Sequence, residues 1–401
     1  MKILYLNPSS QLGGAERNLI DVIGAVRQQD PSIEITVLIT APDGLLMAEL
    51  ISLEVEIIVL ELPRKIARFG DSGLKDRSKI SSLFEFVSNI SAGGELIQYW
   101  WYLRRKIIEI NPDLIHSNGL KTHLLVSSLG VSVPIIWHLH DFIGSRLSIG
   151  KLLGLLIRKV SVAIAISQEI ARDWQSVFPH LPIEVIYNAI DIDKFQPPAI
   201  DRSRDPASQH LKIGLVATYS IWKGHDIFIQ AIGNIARQQP ELKSTVKFYI
   251  IGGAIYETDR SQYTRSTLQQ LARDHNIEDW LTFIDFQRDI VSSYQMLDIV
   301  VHASTQPEPF GRTIVEAMAC ERAVIVAQAG GAAELFTHQQ DAIGVPPSDP
   351  VALAAAILDL IDNPAKRVMM GKAGRINVIE RFNRDRLGVE LMSLYAKLLN
   401  K

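Results

Sequence analysis

The chain has 401 residues, of which 47% are hydrophobic and 21% are charged, and its formal net charge is −3 at pH 7. This length allows two domains with sizeable cores, and the near-neutral charge argues against a protein that binds nucleic acid. The one cysteine, Cys320, excludes a disulfide framework and a cysteine-based metal site, and it fits a cytoplasmic location.

The apolar start of the chain is short, because it turns at Pro8 after six mostly apolar residues. That run is too brief for the core of a signal peptide, and no window approaches the ~18 apolar residues of a membrane span. We therefore expect a cytoplasmic protein that meets a membrane, if at all, from its surface.

Short apolar runs alternate with longer amphipathic stretches, which is the pattern of βα units that build parallel sheets. Helices are predicted over Ala15–Gln28, and over Gln168–Val177 behind an N-cap at Ser167. The strands predicted in the first half are Lys2–Asn7, Ile33–Ile39, Val55–Leu60, Leu114–Ser117, Ile135–His138, Val162–Ile166 and Ile183–Tyr187.

The segment Asn188–His210 contains three prolines and no sustained period, so we interpret it as a linker. The chain ends in a predicted amphipathic helix over Asp385–Leu399. Beyond the linker the alternation resumes, with strands predicted at Lys212–Ala217, Val246–Ile251, Leu281–Ile284, Ile299–His302 and Ala323–Ala327.

These elements predict an α/β protein with two doubly wound, Rossmann-like domains that face a central cleft. We place the first domain at residues 1–195 and the second at residues 196–384. Residues 385–401 form a C-terminal helix that we expect to pack back toward the first domain.

The long connection from Leu62 to Asn111 carries nine basic and five acidic residues, with four consecutive aromatic residues from Tyr99 to Tyr102 ahead of Arg104. A second stretch, Ile149–Lys159, is apolar with basic ends. Aromatic and basic residues together suit an anionic membrane surface. The alternative is that Ile149–Ile157 is a buried helix and that the tryptophans pack onto the sheet, and the sequence favours neither.

The segment from Glu308 to Glu316 follows a predicted strand and opens a predicted helix. Backbone N–H groups of Phe310, Gly311 and Arg312 at a helix start suit a diphosphate. If the ligand carries a sugar, Glu316 can accept hydrogen bonds from two of its hydroxyls. Glu308, which precedes the helix, would then face the cleft where that sugar lies. The alternative is a capping loop with solvated carboxylates, and two glutamates alone do not decide between these readings.

Four further residues follow the ends of parallel strands, which is where α/β proteins bind ligands. Gly13 and Gly14 follow the first strand and let the backbone curl toward a ligand, although the spacing is not that of a dinucleotide fingerprint. Lys223 is the candidate cation for a diphosphate. His140 ends its predicted strand on the same side as His138, whereas His116 lies within a strand and is interpreted as structural.

With these motifs the chain resembles glycosyltransferase family 4 over nearly its whole length. The resemblance implies the GT-B fold and a retaining, metal-independent transfer of a hexosyl group from a UDP- or GDP-linked sugar. The six motifs occur in the family's order: Gly13–Arg17, His140–Asp141, Tyr187–Asp191 with Phe195, Trp222–Gly224, Glu308–Glu316 and Gly330–Glu334.

By this resemblance, Gly13 and Gly14 lie beneath the sugar and phosphate of the donor, His140 touches the donor sugar, and the segment from Glu308 to Glu316 binds the donor. The partners implied are a nucleotide sugar and a glycan or lipid-linked acceptor, which enters from the first domain. No cofactor and no metal ion are expected, because no metal-binding cluster appears in the sequence.

Two positions depart from the family. Thr218 stands where the family usually has an arginine, which leaves Arg312 as a substitute cation, and Glu321 stands where glycine is common. Two alternatives stay open beside the transferase. One is a nucleotide-sugar hydrolase or epimerase, which the motifs do not exclude. The other, which these two departures keep open, is an inert donor-site subunit of a glycan-assembly complex.

Overall fold

The computed structural model describes residues 1–42, 44–63, 90–199, 210–254, 261–287 and 289–400. The chain divides into two units. The first consists of Met1–Ala189 with Arg384–Lys401, and the second of Ile190–Asn383. Helices and strands are numbered below in chain order within the described residues.

The first unit contains, within the described residues, a seven-stranded parallel sheet of order β3-β2-β1-β4-β5-β6-β7. Its five inner strands are buried nearly end to end, which is typical of parallel strands covered on both faces, whereas the edge strands β3 and β7 are partly exposed. The strands are β1 (Lys2–Asn7), β2 (Glu34–Ile39), β3 (Glu56–Val59), β4 (Leu114–Ser117), β5 (Ile135–Leu139), β6 (Val162–Ala165) and β7 (Ile183–Val185).

Most helices of the first unit connect these strands. The helix Gln168–Val177 begins at the predicted N-cap, because the Ser167 hydroxyl accepts a hydrogen bond from the Ile170 N–H at 3.2 Å. The helices are α1 (Gly14–Gln29), α2 (Leu45–Ser52), α3 (Ile90–Ile110), α4 (Leu120–Ser128), α5 (Leu147–Gly154), α6 (Gln168–Val177) and, at the end of the chain, α13 (Arg384–Leu399).

The second unit contains, in the part of the chain described, a six-stranded parallel sheet of order β10-β9-β8-β11-β12-β13. Its strands are β8 (Leu211–Val216), β9 (Val246–Ile251), β10 (Leu281–Ile284), β11 (Ile299–His302), β12 (Ala323–Ala327) and β13 (Ile343–Val345). Its helices are α7 (His225–Gln238), α8 (Arg265–Asp274), α9 (Ile290–Met296), α10 (Arg312–Ala319), α11 (Pro350–Asp362) and α12 (Pro364–Arg381).

The predicted fold class is confirmed, since both sheets are doubly wound and parallel. Strand β13 was missed because its three residues include Gly344 and do not form a sustained apolar run.

Helix α13 packs on α1 within the first unit. The Arg384 guanidinium donates to the Asp21 carboxylate at 2.6 Å. A Cβ atom at Gly388 would lie 2.6 Å from the Ala25 carbonyl oxygen, so the two helices approach closely only because this residue has no side chain.

The boundary between the units falls after Ala189 rather than at residue 195. The Ile190 N–H donates to the Phe382 carbonyl at 2.9 Å, and Arg375 donates to the Phe195 carbonyl at 3.1 Å. These hydrogen bonds attach residues 190–195 to the second unit.

Parts of two predicted segments lie outside the described residues. In the linker these are residues 200–209. In the long connection they are residues 64–89, which hold six of its nine basic residues: Arg64, Lys65, Arg68, Lys75, Arg77 and Lys79. Among the described residues, no helix is both long enough and apolar enough to cross a bilayer.

Each sheet has one point at which the strand order reverses. In the first unit it lies between β1 and β4, and in the second between β8 and β11. Because successive connections leave such a point in opposite directions, a crevice opens at the carboxyl ends of the two strands, and ligands of α/β proteins bind there. The fold therefore directs attention to the loops that follow these four strands.

Candidate active site

The loops after β8 and β11 meet through Gly224. This glycine has a φ of 72°, and a Cβ atom there would lie 1.9 Å from the Ala303 carbonyl oxygen, so no other residue fits. The contact brings Lys223 next to Glu308, with the Lys223 Nζ 2.5 Å from the Glu308 Oε1. The same ammonium group lies 3.9 Å from the centroid of the Trp222 ring.

Glu308 is buried, and two other side chains contact the same carboxylate oxygen. The His302 Nε2 lies 3.1 Å from Oε1, and the Ser304 hydroxyl donates to it at 2.6 Å. Burial alone would raise the pKa of Glu308, but the Lys223 charge and the hydrogen bond with His302 lower that pKa well below its usual range. The carboxyl group is therefore ionised at neutral pH and acts as an acceptor rather than a proton donor.

The backbone of Glu308 is held by the loop after β12. The Gly331 N–H donates to the Glu308 carbonyl at 2.8 Å. Gly330 has a φ of 65°, and a Cβ atom there would lie 2.6 Å from the same carbonyl oxygen. This close approach explains why the Gly330–Glu334 motif accompanies the Glu308 segment.

Helix α10 begins behind Gly311, which caps it in a left-handed conformation with a φ of 103°. The Phe310 ring is buried and packs edge-on against Phe382, with ring centroids 5.8 Å apart. It anchors the loop, so Phe310 can offer a ligand its backbone rather than its ring. The first amide groups of a helix have no earlier turn to bond, which makes this end of α10 suitable for an anion.

Glu316 lies one turn into α10 and is buried. Its Oε1 accepts from the Arg312 Nε at 2.8 Å, and its Oε2 accepts from the Tyr294 hydroxyl at 2.9 Å. A carboxylate oxygen has two acceptor positions, so each oxygen can take a further hydrogen bond from a ligand.

Both cations predicted for this edge are thus paired with both predicted glutamates, Lys223 with Glu308 and Arg312 with Glu316. In each pair the positive charge of the cation balances the negative charge of the carboxylate. An ammonium group has three donors, so Lys223 can keep Glu308 and still donate to a phosphate. Thr218, at the position of the family's arginine, instead has its hydroxyl 3.2 Å from that of Ser220.

The first unit holds the remaining predicted residues. The Gly13 N–H donates to the Glu16 carboxylate at 3.1 Å, at the start of α1. Through this contact the Glu16 carboxylate caps α1 and does not face solvent. Glu16 is buried, and its burial raises its pKa. A Cβ atom at Gly14 would meet nothing within 4 Å, so the space beside this backbone is open.

His140 follows the last residue of β5. Its Nε2 lies 2.7 Å from the Asn118 Oδ1, and its ring stacks on His138 with centroids 4.4 Å apart, as the predicted common side requires. Burial lowers the pKa of His140 to about 3, so the imidazole is neutral near pH 7.

His116 belongs to an internal network. Its Nδ1 lies 2.8 Å from the Tyr395 hydroxyl and its Nε2 lies 3.0 Å from the His138 Nδ1. The Tyr395 hydroxyl in turn lies 3.2 Å from that of Tyr5. Burial lowers the pKa of His116 to about 3. These contacts tie α13 to the sheet, which agrees with a structural role for His116.

Several side chains at these edges were not found from the sequence. His302 ends β11 and Asn118 directly follows β4, so the argument that selected His140 could have selected both. Tyr294 lies on α9, and no motif marks it. Among the residues described, no group of three or more histidine, cysteine or acidic residues is placed to hold a metal ion.

Two family models match the chain. The model described as Glycosyltransferase Family 4 matches residues 12–194, and the model described as Glycosyl transferases group 1 matches residues 198–377. Together they take in most of both units and leave out helix α13 of the first unit.

Curated relatives agree with these matches. A GDP-mannose-dependent monoacylated alpha-(1-6)-phosphatidylinositol monomannoside mannosyltransferase of Corynebacterium glutamicum is 28% identical over 269 residues, which is 63% of this chain and 65% of that protein. The chain thus spans just under two thirds of that relative. A lipopolysaccharide core biosynthesis glycosyltransferase of Rhizobium meliloti is 23% identical over 399 residues, covering 99% of this chain and 98% of that protein.

Among solved structures, the Anabaena protein HepE in complex with UDP and glucose is similar, with a TM-score of 0.79. The two chains are 26% identical, and the likeness covers 99% of each.

Proposed function

The chain belongs to glycosyltransferase family 4 and transfers a sugar from a nucleotide-sugar donor, and we propose that its second unit binds the donor and that the sugar passes, with retained configuration, to a glycan or lipid-linked acceptor. The observation that carries this proposal is the pairing of Lys223 with Glu308 beside the start of α10, at the strand-order reversal of the second sheet.

In this proposal the diphosphate of the donor is bound by the Lys223 ammonium group and by backbone N–H groups of Phe310, Gly311 and Arg312. Glu316 accepts hydrogen bonds from ribose hydroxyls. A UDP- or a GDP-linked donor fits this chemistry, since HepE was solved with UDP and the Corynebacterium relative is named for GDP-mannose.

Negative charge develops on the leaving diphosphate as the glycosidic bond breaks, and its stabilisation is the main catalytic contribution we assign. Lys223 and the positive end of the α10 dipole supply it without a metal ion or cofactor. Glu308 is the residue of the second unit that we assign to the sugar. Glu308 acts as an ionised carboxylate that also keeps Lys223 in place.

We also propose contact with an anionic membrane surface through α3, at the inner face of a cytoplasmic membrane. Ile97, Trp101 and Tyr102 on this helix are 68%, 64% and 54% exposed, and Arg105 lies beside them. Trp100 differs, because its Nε1 donates to the Ser128 hydroxyl at 3.0 Å. Aromatic and basic groups side by side suit the headgroup region of a bilayer.

In the second stretch considered for membrane contact, Ile149–Lys159, some apolar residues are buried and one is exposed. Ile149 and Leu153 on α5 are buried, whereas Leu155 just after it is 81% exposed. We therefore rest the membrane proposal on α3.

Turnover with a panel of UDP- and GDP-sugars tests the function. Release of the nucleoside diphosphate is measured with and without lipid-linked and soluble glycan acceptors, and with and without EDTA. We expect one donor to give acceptor-dependent release that EDTA leaves unchanged, a product with the donor's anomeric configuration, and a kcat lowered at least about tenfold by Glu308→Gln.

Each other outcome contradicts a different part of the proposal. Free sugar released without any acceptor would indicate a hydrolase. Loss of turnover in EDTA would indicate a metal-dependent site. Absence of both turnover and donor binding across the panel would indicate an inert subunit.

A further inference from the structure

In the described part of the second unit, three side chains contact the same oxygen of Glu308. The Lys223 Nζ lies 2.5 Å from Oε1, the Ser304 hydroxyl donates to it at 2.6 Å, and the His302 Nε2 lies 3.1 Å from it. A carboxylate oxygen has two acceptor positions, so Oε1 has one partner more than it needs. One of the three can therefore turn to a ligand without leaving this oxygen unpaired.

The hydrogen on the His302 ring is located by these contacts. The Ser304 hydroxyl has one hydrogen, which it gives to Glu308, so an oxygen lone pair faces the His302 Nε2 at 3.2 Å. Because both neighbours of Nε2 accept, Nε2 carries the hydrogen. Among the described residues, Nδ1 of this ring is buried without a hydrogen-bond partner, so a second hydrogen there would be an unsatisfied donor. His302 is thus a neutral donor to Glu308.

The three donors differ in how firmly the fold holds them. His302 is the last residue of β11 and pairs with Val326 of β12, and Ser304 follows two residues later. Both of these donors are buried. Lys223 lies between β8 and α7 on a flexible four-carbon stem, and its side chain is 20% exposed. Lys223 is therefore the donor that can turn to a ligand.

A diphosphate beside Lys223 would draw on the positive charge that compensates Glu308. Burial disfavours the ionised form of a carboxyl group, so Glu308 keeps its charge only while donors remain on it. With fewer donors, the carboxylate would also repel the diphosphate more strongly. The two donors held by β11 and the residues that follow it meet this need when the lysine turns.

We propose that His302 and Ser304 are positioning residues that hold the Glu308 carboxylate through Oε1, which allows Lys223 to share its charge with the diphosphate of the donor. This inference rests on the proposed function. The two residues touch no ligand and act on binding through Lys223. Without His302, the lysine is committed more fully to Glu308, and sharing it with a phosphate costs more.

A double-mutant cycle on the affinity for a nucleoside diphosphate tests the inference. UDP and GDP are titrated calorimetrically into full-length protein, and the one that the wild type binds more tightly serves as the probe. We expect His302→Leu to weaken its binding about fivefold, but to cause no further loss in the Lys223→Ala background. His302→Gln should restore the wild-type affinity, because its terminal amide can donate from the position of Nε2.

The nucleoside and a second histidine provide the controls. Binding of the matching nucleoside should be unchanged in His302→Leu, since it has no phosphate for the lysine to contact. His338→Leu, which replaces an exposed histidine of the same unit whose Nδ1 accepts from the Gly344 N–H at 3.0 Å, should change neither affinity. Thermal unfolding shows which variants are folded. Ser304→Ala should show the same dependence on Lys223, and it carries the test if His302→Leu does not fold.

Three results would overturn the inference. Unchanged diphosphate affinity in His302→Leu would show that the contact does not support binding. An equal loss in both lysine backgrounds would show that His302 acts independently of Lys223. Failure of His302→Gln to restore binding would indicate a charged ring rather than a neutral donor.

These results are distinct from a failure of the proposed function. If the wild type binds neither UDP nor GDP, the proposed function fails and the inference fails with it. If one of them binds and the effect of His302→Leu does not depend on Lys223, only the present inference is lost. In either case, ¹⁵N NMR of histidine-labelled protein locates the hydrogen of His302, whose signals vanish in His302→Gln. A hydrogen on Nδ1 would contradict the inference whatever the protein binds.

Discussion

At the scale of single residues, burial sets the chemistry of the second-unit edge. Glu308 and Glu316 are both buried, and each is paired with a cation. Because Lys223 and His302 lower the folded-state pKa of Glu308, this carboxylate stabilises the fold at neutral pH, and the contribution is lost as pH falls through that low value. Removing one partner of such a pair leaves a buried, uncompensated charge.

Glu321 carries a conformational cost that the sequence comparison with the family already indicated. Its φ is 56°, in the left-handed region where residues other than glycine are strained. Glu321→Gly should therefore raise the free energy of unfolding, by about 0.5–1 kcal/mol after the greater chain entropy of glycine is subtracted. Chemical denaturation measures the change.

Asn276 provides the matched control, since its φ is also 56° but asparagine tolerates this conformation. Asn276→Gly should change stability by much less than Glu321→Gly. An equal gain in both would show that Glu321 is no more strained than Asn276. A loss at position 321 would show that the ion pair between Glu321 and Arg375, at 3.9 Å, outweighs the backbone strain.

The sequence identified the charged residues of the site better than their partners. Lys223, Glu308 and Glu316 could be selected because motif and strand order place them at one edge. Their contacts with Ser304 and Tyr294 depend on loop and helix geometry that no local pattern encodes. The capping of α1 by the Glu16 carboxylate likewise depends on a side-chain conformation that the sequence does not reveal.

At the scale of secondary structure, strands buried on both faces were predicted within one or two residues, because a continuous apolar run is itself the signal. Strand β13 gives no such signal. Helix α3 was not predicted, and its aromatic residues were left undecided between a membrane and the sheet, because a sequence does not reveal which residues of a run such as Tyr99–Tyr102 face the sheet. In the structure Tyr99 is buried, whereas Trp101 and Tyr102 are exposed.

The membrane proposal is tested on that helix by sedimentation with anionic vesicles. Binding should fall as salt rises, because each cation near the surface contributes about 1 kcal/mol that salt screens. The double variant Trp101→Ser with Tyr102→Ser should remain in the supernatant. The salt-sensitive contribution should shrink in Arg105→Ser, at the same vesicle concentration.

Helix α12 offers the matched control, since Val368 and Met369 are 48% and 67% exposed there. Replacing both by serine should leave vesicle binding unchanged. If the wild type does not sediment with anionic vesicles at low salt, or if the α12 variant loses binding as the α3 variant does, α3 is not a membrane surface.

At the scale of the whole molecule, the two sheets share one topology, in which the strand order of the described residues reverses once. The predicted site residues lie in the loops or helices that follow the strands at or next to these reversals. This explains why a resemblance built from six short motifs could predict fold class and family together. The exact division of the chain could not be predicted, because it depends on the contacts of Ile190 and Phe195 with α12 and the residue that follows it.

We propose that the second unit holds a nucleoside diphosphate through Lys223. Titration calorimetry of full-length protein with UDP, GDP and the matching nucleosides tests it most directly. Lys223→Ala should weaken binding of the preferred diphosphate by about 1.5–3 kcal/mol, the value of a charged hydrogen bond, and leave nucleoside binding unchanged. Lys243→Ala, which removes a lysine paired with Asp279 at 3.1 Å on the surface of the same unit, should change neither. Diphosphate affinity that is unchanged in Lys223→Ala, or lost equally for the nucleoside, would contradict the account.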